Sequence, residues 1–191
     1  YEAIIDPIKF YEISEFSNAG DYVGKELTEN TTLELVLPGN IQFTPYFELE
    51  APAGKRLTIY TDSYVDSDNN PNFKDTYVTA EGAQQFENYA WRSGSKLYIE
   101  AEAGVKFTAL GYRKSEFNGK WVGTFTSENE ELNQLWQESL NTVAICMRDT
   151  YIDCPERERG PYMGDASNQI DAALYGYDQG GLDMTKKAIL S

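Results

Sequence analysis

From Thr31 onward the apolar residues fall on every second position. Leu33, Leu35 and Leu37 alternate with Thr32, Glu34 and Val36, and Pro38-Gly39 reads as a turn. Ile41 and Phe43 continue the alternation, and Phe47 and Leu49 repeat it after Pro45. Leu57 and Ile59 follow the turn signal Pro52-Ala53-Gly54. Phe86, then Leu97, Ile99 and Ala101, then Val105, Phe107 and Ala109 complete the series, with Gly94 and Gly104 as turn markers. Short alternating strands separated by turn residues predict an antiparallel β-sandwich. Its inner faces bury the alternate apolar side chains.

The period changes after Phe125. Ser127-Glu128-Asn129-Glu130 has the form of a capping box, in which a serine hydroxyl caps a helix and a glutamate reaches back. Leu132, Leu135, Trp136, Leu140, Val143, Ala144 and Met147 then lie on one stripe at helical spacing, predicting a helix that ends near Arg148. A second helix is expected from an Asp165 cap, with Ile170, Ala173, Leu174 and Tyr177 on its apolar face and Gly180-Gly181 as its stop. Leu182 to Ser191, capped by Asp183, reads as the start of a third. The organisation expected is a connector over 1–25, where Ile4, Ile5, Ile8 and Phe10 suit an edge strand, a β-sandwich domain over 26–125, and helices over 126–191. No internal repeat or low-complexity tract interrupts this.

Charge and residue usage narrow the chemistry. Among 191 residues the formal net charge is −15, and histidine is absent. An acidic surface repels phosphate backbones, which argues against a nucleic-acid partner. Acid–base work falls to carboxylates, tyrosine, lysine or cysteine, and His-ligated zinc is excluded within the chain. Cys146 and Cys154 form no C-x-x-C motif. No apolar run is long enough for a membrane span, and no signal peptide stands at the N-terminus. Tyr1 and Ser191 both interrupt apparent elements, so the remainder of the same polypeptide is an expected partner.

The loop Asp66-Ser67-Asp68-Asn69-Asn70 places oxygen ligands at alternate positions. It fails the EF-hand pattern at Pro71 and Tyr77, so a solvated turn is the better reading. Neither a metal nor a cofactor is indicated. Tyr89, Trp91 and Tyr98 suit either a sugar-stacking platform or cross-strand pairs, of which strands favour the second.

The densest chemistry runs from Asp149 to Asp165. Five acids, Asp149, Asp153, Glu156, Glu158 and Asp165, share it with Arg157 and Arg159, and Arg148 stands just before. Pro155, Gly160 and Pro161 rule out a continuous helix. Carboxylates crowded against arginines have their pKa values pushed apart, as a general acid and its helpers require. The same crowding suits a solvated loop or a salt-bridge knot pinning two helices.

Asp153-Cys154-Pro155-Glu156-Arg157-Glu158-Arg159, followed by Tyr162-Met163-Gly164-Asp165-Ala166, resembles the signature of the α-L-rhamnosidases of glycoside hydrolase family 78. The resemblance implies an (α/α)6 barrel preceded by β-sandwich domains, and hydrolysis of terminal α-L-rhamnosides with inversion. It makes Glu158 the general acid. It makes Asp153 and Asp165 the acids that hold sugar hydroxyls, with Arg157 in the substrate-binding set and Tyr162 at the stacking position. Gly160-Pro161-Tyr162 departs from the Leu-Gly-Trp or Ala-Gln-Trp usual there. The implied base is a glutamate much further along the barrel, so these residues alone are expected to be inactive. The implied substrate class suggests an extracellular or periplasmic location. The alternative readings are a carbohydrate-binding sandwich with a helical appendage, and a purely structural domain.

Overall fold

The computed structural model describes residues 8–190. Ile4 and Ile5, expected near an edge strand, lie outside the described residues. The chain forms an antiparallel sheet of seven strands and then three helices: β1 (Ile8–Glu15), β2 (Thr31–Ala51), β3 (Arg56–Thr61), β4 (Asp75–Val78), β5 (Gly82–Glu87), β6 (Arg92–Ala101), β7 (Lys106–Phe117), α1 (Glu130–Ile145), α2 (Met163–Gly176) and α3 (Gln179–Leu190). Within the segment expected as a connector, β1 and a short 3-10 turn, Ala19–Asp21, are regular structure. The described residues divide into two compact units, residues 11–115 and residues 8–10 with 116–190.

In the sheet unit β2 holds the architecture. Its first part, Thr31–Val36, pairs with β6, and its second part pairs with β7 on one side and β5 on the other. Strand order runs β1-β7-β2-β6-β3-β4. Phe47, on the second part of β2, stacks on Phe86 at 5.0 Å and meets Tyr77 of β4 edge-on at 5.4 Å. That contact joins strands far apart in the sheet order, so the sheet folds over onto one core. Leu33, Leu35, Phe47, Leu49, Leu57, Ile59, Leu97, Ile99 and Phe107 are all buried in it. Each such side chain contributes about 1.5–3 kcal/mol on leaving water.

Local details differ from the sequence expectation where backbone irregularity intervenes. Pro38-Gly39 is not a turn; β2 runs through it with a register shift between Val36 and Ile41. A second shift, between Glu48 and Leu49, moves the inward position on β7 from Ala109 to Leu110. A bulge inserts one residue and so breaks a count by twos. Gly94 is likewise inside β6, not between strands. Its φ is +155°, and a Cβ there would lie 2.7 Å from Asp62 Oδ1, which accepts from the N–H groups of Ser95 and Lys96. Tyr98 stacks on its cross-strand partner Tyr60 at 5.2 Å while Tyr89 is fully exposed, so the cross-strand reading describes Tyr98. In the loop below, Asp66 accepts from the N–H groups of Asp68 and Asn70, holding the exposed turn by internal bonds.

The helical unit has its own core of Phe117, Leu140, Val143, Met147, Tyr151, Ala166, Ala173, Tyr177 and Met184. Tyr177 donates to Leu140 O at 2.8 Å, tying the end of α2 to α1. The helix ends depart from the expected signals. Asn129, not Ser127, caps α1, accepting from Glu131 N–H at 2.9 Å, and Asn133 rather than Glu130 reaches back, accepting from Ser127 N–H. Asn and Ser cap equally well, so the closer residue prevails. α1 stops at Ile145, short of Arg148. Asp165 lies inside the first turn of α2 without capping it. Gly180-Gly181 do not stop α2 but open α3, because a Cβ on Gly180 would come within 2.5 Å of Asn118 O. Asp178 accepts from Gly180 N–H there, in the role expected of Asp183. Leu132 and Leu135 are 45% and 61% exposed, since α2 covers only the later turns of α1.

One ion pair binds several strands of the sheet unit. Arg113 donates to both oxygens of Glu87, at 2.6 and 3.2 Å, and to Tyr11 O at 2.9 Å, while Thr44 donates to Glu87 at 3.2 Å. The guanidinium hydrogen bond holds the Glu87 carboxyl below its usual range against the opposing effect of burial. A depressed carboxylate stabilises the fold above its unfolded pKa of about 4.3 and loses that contribution as pH falls through the lower folded value. Glu87→Gln should therefore cost about 1 kcal/mol at pH 7, discounted for partial exposure. Urea unfolding at pH 7 and pH 3 checks this, and the difference between variant and parent should shrink at the lower pH.

Candidate active site

The charged segment begins as a tight reversal at the end of α1. Arg148 N–H donates to Thr150 O at 3.0 Å, Met147 bridges Tyr151, and Ile152 N–H donates to Cys146 O at 2.9 Å. A loop then closes on itself. Asp153 N–H donates to Gly160 O at 2.9 Å, and Gly160 N–H donates to Asp153 Oδ1 at 2.8 Å. The last step into Gly160 is left-handed, with Arg159 at φ 54°, a conformation uncommon for a side chain of its size. Arg159 Nε donates to Pro155 O at 2.9 Å, and its other end lies 3.6 Å from the buried Glu156 carboxylate. Part of the segment is thus the salt-bridge knot that its crowding allowed. Arg148 is buried as well. Burial pushes its guanidinium down to about 10, and the nearby charge of Arg159 adds to this.

The other charges serve a different geometry. Glu158 and Arg157 project from the outside of the loop, with Arg157 donating to Glu158 Oε1 at 2.7 Å. Glu158 N–H donates to Cys154 Sγ at 3.3 Å. Asp153 is half-buried. Burial pushes its carboxyl up, but hydrogen bonds from the Cys154 thiol, the Gly160 N–H and the Glu158 side chain outweigh that and hold it below its usual range. Asp153 and Glu158 are therefore neighbours on one closed loop.

Asp165 is exposed in the first turn of α2. Burial raises the Cys146 thiol to about 11, and the nearby Asp153 and Asp165 carboxylates add to this. Tyr162, the residue before α2, is half-exposed and packs on Gly160, where a Cβ would come within 2.6 Å of its ring. The structure thus joins Arg157 to Glu158 directly, sets Asp153 in the closure of the same loop, places Asp165 on the adjacent helix, and seats Tyr162 against the loop's closing glycine. Both cysteines are free thiols. No cluster of three or more His, Cys, Asp or Glu side chains suited to a metal ion is found among the described residues.

Two contributors escaped the sequence reading. Cys154, quoted only as part of a motif, touches both Asp153 and Glu158. Gln169 of α2 donates to Ile152 O at 2.8 Å, beside Asp153. Its place one helical turn after Asp165 was the available signal, because residues four apart share a helix face.

Comparison with known proteins follows these lines. Residues 120–188 match the family model of the bacterial α-L-rhamnosidase six-hairpin glycosidase domain. Among solved structures, the chain is similar to a GH78 family rhamnosidase of Bacillus sp. GL1, with TM-score 0.69 and 27% identity over 76% of this chain and 16% of that one. A rhamnosidase from Klebsiella oxytoca with rhamnose bound has TM-score 0.72 and 14% identity, over 89% of this chain and 40% of that one. The α-L-rhamnosidase from Dictyoglumus thermophilum has TM-score 0.69 and 19% identity, over 95% of this chain and 22% of that one. These last two show likeness of fold alone. No curated protein matches. The chain spans well under half the length of each of these structures, from 16% to 40%. It is similar to the α-L-rhamnosidases of glycoside hydrolase family 78, and its residues 120–188 match their six-hairpin glycosidase domain.

Proposed function

We propose that the chain is a portion of an inverting glycoside hydrolase that cleaves terminal α-L-rhamnosides, with Glu158 as the general acid. The observation that carries this reading is the closed loop that displays an exposed Glu158 beside Asp153, whose carboxyl is held below its usual range. In an inverting displacement one carboxylic acid protonates the leaving oxygen while a second carboxylate activates water on the opposite face. Arg157 orients the Glu158 carboxyl through its 2.7 Å contact. Asp153 and Asp165 hold sugar hydroxyls as acceptors, and Tyr162 offers an exposed ring on which the sugar packs.

Asp153 is not the base in this scheme. Inversion needs its two carboxyls about 6.5–9.5 Å apart so that a water fits between. Asp153 accepts from Gly160 N–H at 2.8 Å and is taken up in closing the loop. The base in this scheme is the glutamate that the family resemblance implies further along the barrel; the chain covers 16% of the Bacillus rhamnosidase. A substrate of this class is met outside the cytoplasm, which favours an extracellular or periplasmic setting. The rival reading, a sugar-binding sheet, keeps Tyr89 as an exposed ring, while Tyr98 is stacked on Tyr60.

Two outcomes test the proposal. The chain alone should release no aryl group from an aryl α-L-rhamnoside above the uncatalysed rate; turnover would show that the base lies within it. In the full-length protein, Glu158→Gln should lower kcat by about 10²–10⁴ for substrates with poor leaving groups. A variant with near-parental kcat would remove Glu158 from the role.

A further inference from the structure

We propose that Gln169 is a positioning residue of this site, its side-chain amide tying the helix that carries Asp165 to the main chain beside Asp153. Gln169 lies one turn after Asp165 on α2, so both side chains occupy one face of that helix. Its Nε2 donates to Ile152 O at 2.8 Å. The N–H of Ile152 donates to Cys146 O at 2.9 Å, so both backbone groups of the residue before Asp153 are held. One bond goes to the end of α1 and the other to α2. Asp153 therefore leaves a backbone fixed from two helices, and its carboxyl accepts from Gly160 N–H from that fixed point.

The second observation is the other end of the same amide. Gln169 Oε1 is buried and has no hydrogen-bond partner among the described residues. The orientation is forced, because Ile152 O accepts only from the nitrogen. A buried acceptor left unmet is a cost to the fold. Leucine or methionine would fill the same volume without it, so packing alone does not call for glutamine here. What the amide adds is the bond to Ile152.

The positional part of this inference stands on these contacts; its consequence for catalysis rests on the function proposed above. The test follows the Asp153 carboxyl by 13C NMR titration in the chain, comparing parent with Gln169→Met, which keeps length and volume but cannot donate. Unfolding midpoints establish that the variant is folded, and Gln169→Leu serves if Gln169→Met is not. Asp153 should titrate below the ordinary aspartate value of about 3.9 in the parent and move up toward it in the variant. Asp66, in the other unit, should not move. An unchanged Asp153 midpoint in a folded variant would overturn the proposal. In the full-length protein the same variant should lower kcat about tenfold or more. A parent without rhamnosidase activity would sink the proposed function, whereas the Asp153 midpoint decides the role of Gln169 by itself.

Discussion

The site depends on the reciprocal clasp between Asp153 and Gly160. The backbone N–H of Asp153 reaches Gly160 O, and the N–H of Gly160 returns to the Asp153 carboxylate. Two bonds at 2.9 and 2.8 Å close a loop that has no regular structure of its own. Closure needs the left-handed turn at Arg159, a backbone state of the kind that persists only where surroundings impose it. Here the surroundings are the Pro155 carbonyl and the buried Glu156 carboxylate, both held by the Arg159 side chain. The salt-bridge knot and the candidate acid are two parts of one device. The inward charges shape the loop, and the outward ones, Arg157 and Glu158, are what it displays.

That division explains why the same segment supports both structure and chemistry. A carboxylate used as a fixed acceptor must stay charged, and Asp153 is kept charged by donors on several sides. The loop stands on a small helical core in which Tyr151 and Thr185 share a buried 2.8 Å hydrogen bond and Tyr177 donates to α1. Rigid elements beneath an irregular loop are what allow a loop to hold side chains in register.

The sequence made the sheet legible because one face of each strand is buried. Leu33, Leu35, Leu37, Leu57, Ile59, Leu97 and Ile99 alternate as expected and are all in the core. It failed at Ala109 and Leu110, because a bulge shifts the register and a count by twos does not register a bulge. Caps were misplaced by a few residues for a related reason. Ser127, Asn129, Asp165, Asp178 and Asp183 all have the chemistry to cap, and tertiary contacts choose among them. The acids of the site were visible through their crowding and the family signature. Gln169 was not, because an uncharged helix residue reveals its role only when the carbonyl it faces is known.

The central claim is that Glu158 gives its proton to a departing oxygen. The most direct measurement compares rhamnosides of graded leaving-group acidity in the full-length Glu158→Gln variant and its parent. If Glu158 is the proton donor, the variant loses most of its rate on alkyl leaving groups and little on dinitrophenolate, which departs without protonation. Equal losses across the series, or none, would contradict the account.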